Sequence, residues 1–68
     1  MINRLKLEYK IKESGHTNKE CAEKLNISLQ AFLNKLNNKS EFKYSEILKL
    51  CDYIGIDIKD SIFFESKV

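Results

Sequence analysis

Thr17-Asn18-Lys19-Glu20-Cys21-Ala22-Glu23-Lys24-Leu25-Asn26-Ile27-Ser28-Leu29-Gln30-Ala31-Phe32-Leu33-Asn34-Lys35-Leu36 is the stretch on which the fold turns. Thr17 through Glu20 fits a capping box: the threonine hydroxyl serves the amide three residues on, and the glutamate reaches back. Cys21, Ala22 and Leu25 give the helix that follows a short apolar face. Asn26 tolerates the left-handed backbone that ends helices, almost as glycine does. Ile27 is an apolar plug in the turn, and Ser28 is a good N-cap for a next helix, Leu29 to about Leu36. Ala22 is small where the second helix must cross closely.

Before this unit, Leu5 to Lys12 alternates apolar and polar residues without a break, which by itself is a strand signal. Leu7 and Ile11 also stand at i, i+4, and Gly15 follows as a helix-ending residue. With no partner strand evident elsewhere, residues 3–14 are read as helix. After the unit, Asn37-Asn38-Lys39-Ser40 is a polar break. Ile47, Leu50, Cys51 and Ile54 then make a clean helical stripe, starting near Tyr44 or Ser45 and closed by Gly55. Asp57 is positioned to cap a last short helix carrying Ile58, Ile62 and Phe63.

The bulk numbers agree with a small helical domain. The chain has 68 residues, 43% apolar and 32% charged, with no proline and two glycines. Sandwiches and barrels draw heavily on Gly and Pro for their turns, so this composition argues for helices on short connections. Residues 1–68 are expected to form one all-α domain of four to five helices, with the helix-turn-helix unit at 17–36. No run approaches a membrane span, and the charged N-terminus is unlike a signal peptide, so a cytoplasmic location is expected. Cys21 and Cys51 are thirty positions apart, without a C-x-x-C and with His16 as the sole histidine. They are read as reduced core thiols, with no metal site and no cofactor.

Charge is uneven. Residues 1–43 carry nine Lys/Arg against five Asp/Glu, and residues 44–68 three against five. The basic part suits a polyanion, although a mixed solvated surface also fits. Likewise a helix, a short turn and a second helix place the latter in a DNA major groove in many proteins, but a helical hairpin without that role has the same pattern.

Residues 17–28 resemble the helix-turn-helix core of the lambda-repressor/Cro-like (XRE) family, whose pattern runs Thr-Gln-x-x-x-Ala-x-x-x-Gly-Val/Ile-Ser. Residues 35–42 and 47–56 resemble a branch of short phage-encoded regulators. The resemblance implies a five-helix bundle and a DNA-binding regulator of a temperate phage or integrated element. It implies that Asn18 meets a phosphate and that Ser28 starts the recognition helix. Leu29, Gln30 and Asn34 would face base edges, and Lys35, Lys39 and Lys43 would flank them as phosphate contacts. A carboxamide suits adenine, pairing with its N6 and N7 together.

Two residues depart from that pattern. Leu29 and Leu33 are apolar at positions usually polar, while Phe32 and Leu36 take the core side. An exposed Leu29–Leu33 pair would suit a protein partner, so the second reading is an antirepressor that turns this face to a phage repressor. An enzyme is disfavoured, since neither His16 nor Cys21 has an evident orienting acid and no catalytic set emerges. Tyr9, Tyr44 and Tyr53 are read as packing residues. Useful affinity for an operator calls for a homodimer, with Ile62-Phe63-Phe64 as the candidate extra interface.

Overall fold

The computed structural model describes residues 2–57. They form four helices: α1 (Arg4–Glu13), α2 (Asn18–Lys24), α3 (Leu29–Leu36) and α4 (Tyr44–Ile54). No strand occurs among the described residues. The anticipated last helix, with Ile58, Ile62 and Phe63, and the Ile62–Phe64 interface lie outside them.

The first three helices begin where a side chain meets an orphan amide of the first turn. The side chains of Asn3, Thr17 and Ser28 accept from the amides of Lys6, Glu20 and Ala31. Glu20 completes the capping box by accepting from the Thr17 amide at 2.8 Å. α4 starts differently. Its N-cap residue is Lys43, and the amide of Lys43 is satisfied by the Glu46 carboxylate at 2.8 Å.

All four helices end alike, on a residue with positive φ: Gly15, Asn26, Asn38 and Gly55. In each case the next amide closes a wide turn onto a carbonyl five residues back. These are His16 to Ile11, Ile27 to Ala22, Lys39 to Asn34, and Ile56 to Cys51. This closure satisfies carbonyls the helix itself leaves open. Two asparagines here take the place that glycine usually fills.

The core is Leu7 and Ile11 from α1, Cys21 and Ala22 from α2 with Leu25 at its end, Phe32 and Leu36 from α3, and Ile47, Leu50, Cys51 and Ile54 from α4. Phe32 is fully buried, and its ring meets Phe42 edge-on at 5.8 Å. α2 packs against both α3 and α4. Ile2, Ile27, Leu33, Phe42, Tyr53 and Ile56 close the core's margins. Arg4 pairs with Glu8 at 2.6 Å and also donates to the Asn37 side chain, while the Asn38 carboxamide bonds the backbone of Ile2. These contacts tie the start of the chain to the end of α3.

The tyrosine expectation needs correction. Tyr53 is half-buried and stacks on His16 at 4.0 Å, but Tyr9 and Tyr44 are exposed. Tyr9 shares its face of α1 with Leu5, which is 80% exposed, because the core takes the Leu7–Ile11 pair instead. No described helix is long and apolar enough to cross a membrane.

Candidate nucleic-acid interface

The turn between α2 and α3 is set by Asn26. Its φ of 60° reverses the chain after Leu25, and the Ile27 amide reaches Ala22 at 3.0 Å. Ala22 is 1% exposed, so a larger side chain there would separate the helices. Ser28 then restarts the helix, its hydroxyl bonded to the Ala31 amide at 3.1 Å. The hydroxyl of Ser28 is thus already engaged by the backbone in the unbound chain.

α3 has two faces. Phe32 and Leu36, one turn apart, are buried. Gln30 and Asn34, also one turn apart, lie on the opposite side. Gln30 is exposed, Asn34 half-buried, and Gln30 Nε2 donates to Asn34 Oδ1 at 3.1 Å. The two expected base readers are therefore a hydrogen-bonded pair. One carboxamide orients the other, and donors and acceptors remain on the outer edge.

The expected leucine pair is divided. Leu29 is 42% exposed at the start of α3, whereas Leu33 packs against the core. Leu33 lies between the buried and outward sides of the helix, so its side chain closes the core margin. No exposed Leu29–Leu33 stripe exists.

The lysines divide too. Lys39 and Lys43 are exposed. Lys39 follows the left-handed Asn38, and its amide bonds the Asn34 carbonyl at 2.9 Å. Lys43 sits at the N-cap of α4. Lys35 differs from both. Its Nζ lies 3.0 Å from Glu46 Oε1, and each side chain of this pair is only 12% exposed. The same ammonium donates to the Glu41 carbonyl at 2.9 Å and sits 5.8 Å from the Phe42 ring centre. Its charge is thus met within the chain by Glu46 and the Glu41 carbonyl. Sequence reasoning missed this, since the partner Glu46 is on another helix.

Burial pushes the Glu46 carboxyl up, but bonds from the Lys43 amide and the Lys35 ammonium outweigh it and hold the group below its usual range. Cys21 goes the other way: burial first, then the neighbouring Glu20 charge, push its thiol up to about 11. Cys21 and Cys51 are both buried and unbridged.

Asn18, the first residue of α2, is half-buried. It lines a small open cavity of about 200 Å³ with Glu8, Ile11, Lys12, His16 and Thr17. Among the described residues, no His/Cys/Asp/Glu group is arranged to hold a metal ion.

What the arrangement offers is a short helix with a carboxamide pair on its outer face and exposed lysines just beyond its end. That is the chemistry of duplex recognition, with groups for base edges beside groups for phosphates. The family model that describes the Cro/C1-type HTH DNA-binding domain matches residues 6–65. Comparison with curated proteins and with solved structures finds no significant match.

Proposed function

This chain belongs to the Cro/C1-type HTH DNA-binding domain family, and from that premise we propose that it is a sequence-specific transcriptional regulator of a temperate phage or integrated element. It acts by occupying an operator and blocking or redirecting polymerase, as one domain over residues 1–68 that binds as a homodimer in the cytoplasm without a cofactor. α3 is its recognition helix. Gln30 and Asn34 read base edges, Leu29 touches a thymine methyl, and Asn18, Ser28, Lys39 and Lys43 hold phosphates.

The observation that carries this reading is the carboxamide pair. Gln30 and Asn34 point outward from a helix whose other side is anchored by the fully buried Phe32. A rigid scaffold under an outward-facing polar pair is what base readout needs. The antirepressor reading relies on an exposed Leu29–Leu33 pair, and Leu33 packs against the core instead. A lone exposed leucine is ordinary surface.

Selection of duplexes from a random-sequence library by the wild-type chain tests the proposal. Titration of the selected duplex over a range of salt then measures affinity and the number of phosphates neutralised. We expect an enriched motif and a preference over unselected DNA of at least about 10³-fold. Binding of equal strength to all duplexes would overturn sequence specificity.

A further inference from the structure

We propose that Lys35 is a positioning residue, whose ammonium clamps the segment from Lys39 to Lys43 against the recognition helix and contributes to DNA binding without touching DNA. This rests on the DNA-binding reading above and assigns a role within it that the resemblance does not imply. The segment is tied to α3 at both ends. At its start, the Lys39 amide donates to the Asn34 carbonyl at 2.9 Å. At its end, Lys35 Nζ reaches the Glu41 carbonyl at 2.9 Å and Glu46 Oε1 at 3.0 Å. That same Glu46 oxygen accepts from the Lys43 amide at 2.8 Å. One ammonium and one carboxylate oxygen therefore hold both residues that flank Phe42. The Phe42 ring centre lies 5.8 Å from the Lys35 ammonium and 5.8 Å from the ring centre of the buried Phe32.

Such an arrangement has a physical consequence. A charge pair largely removed from water carries a desolvation cost that only good geometry and added hydrogen bonds offset. Here the extra bonds go to backbone groups of the connecting segment, so the stabilisation is delivered to that segment's conformation. Lys39 and Lys43, at its two ends, are exposed. Fixing the backbone between them sets where their side chains start. A segment ordered before binding need not be ordered during it, which spares part of the entropic cost of association.

The test uses the full chain, with Lys35→Met, Lys35→Arg and Glu46→Gln. Methionine keeps an apolar stem beside Phe42, and arginine keeps both donors. All measurements are made well below each variant's melting temperature. In Lys35→Met, hydrogen exchange at the Lys43 amide, which Glu46 holds, should speed up by about tenfold, while those of Phe32 and Leu50 stay as in the wild type. Affinity for a short duplex selected by the wild type should fall by about 5- to 20-fold, and Lys35→Arg should restore most of it. Glu46→Gln gives a sign test. It removes a negative charge, which by electrostatics alone tightens DNA binding. The clamp requires the opposite, a loss of about 3- to 10-fold. Tighter binding by Glu46→Gln would mean that Lys35 had been released to a phosphate, and would overturn the proposal. Unchanged exchange at the Lys43 amide in Lys35→Met would overturn the clamp while leaving DNA binding intact. A wild type that binds no duplex removes the DNA-binding reading and this role of Lys35 with it.

Discussion

Gln30 Nε2 donates to Asn34 Oδ1 across one turn of α3, at 3.1 Å. The two carboxamides are thus one hydrogen-bonded unit whose members depend on each other for orientation. Gln30→Ala should weaken binding to the selected duplex by about 1–3 kcal/mol and relax preference at one base pair. Because Asn34 loses its orienting partner in that variant, the effects of Gln30→Ala and Asn34→Ala should not add. A double-mutant cycle should return a coupling of at least about 0.5 kcal/mol. Strict additivity would mean that each side chain reads its base alone.

In the proposed reading, Lys39 and Lys43 supply the sequence-independent part. Each of Lys39→Ala and Lys43→Ala should weaken binding to all duplexes about equally. Each should also flatten the plot of log affinity against log salt by roughly 0.9 for every phosphate that is no longer neutralised. Titrations of one duplex at several salt concentrations give the slopes. A wild-type slope in Lys39→Ala would mean that its ammonium meets no phosphate.

Much of this fold is legible along the chain because its punctuation is local. Thr17 with Glu20, Ser28, Gly15 and Asn26 act on amides and carbonyls within five residues, so spacing reveals them. Asn38 ends α3 in the same way, but among Asn37, Asn38, Lys39 and Ser40 the sequence alone does not single it out. α1 is ambiguous along the chain for a different reason. Leu5 with Tyr9 and Leu7 with Ile11 are both i, i+4 pairs on opposite sides of one helix. Only the neighbouring helices decide that Leu7 and Ile11 go inside. Lys35 shows the same limit at the candidate site. Its long side chain reaches in several directions, and the choice is made by Glu46 and Glu41, which tertiary packing brings near.

Glu46 predicts a pH dependence of stability. Its carboxyl is held below the usual value of 4.5 in the folded chain. A depressed folded-state value means the contribution is complete above 4.5 and is lost as pH falls through the lower, folded value. The wild type should therefore exceed Glu46→Gln in melting temperature at neutral pH, with the gap closing as acid is added below 4.5. A gap that stays constant down to strongly acidic pH would show that the charge of Glu46 contributes nothing to stability.

The thiols should behave as core groups. Cys21 has no exposure and Cys51 is 5% exposed. Replacing either by serine puts a hydroxyl among apolar side chains, at a cost of about 1–3 kcal/mol by denaturant unfolding. Cys21 should also resist alkylation in the native chain, since the reactive form is the thiolate and its thiol is pushed up to about 11. Rapid modification of native protein at neutral pH, with no loss of structure, would contradict that burial.

Leu29 and Leu33 separate a surface role from a packing role on one helix. They stand four residues apart, yet Leu29 is 42% exposed and Leu33 closes the core margin. Leu33→Ser should lower unfolding free energy by about 1–3 kcal/mol, since it removes apolar packing and brings a hydroxyl to a half-buried place. Its affinity for the selected duplex, measured where it is fully folded, should stay within about threefold of the wild type, because the charged and carboxamide groups remain. Leu29→Ser should do the reverse. Its stability should change by no more than about 0.5 kcal/mol, as for most surface substitutions. Its binding should weaken for duplexes with a thymine at the step it touches and hardly at all for others, because serine cannot replace the packing of leucine on the methyl group. Substituting uracil for that thymine removes the same methyl from the other side, so uracil duplex and Leu29→Ser together should cost little more than either alone. Full additivity of the two changes would mean that Leu29 does not meet a thymine methyl.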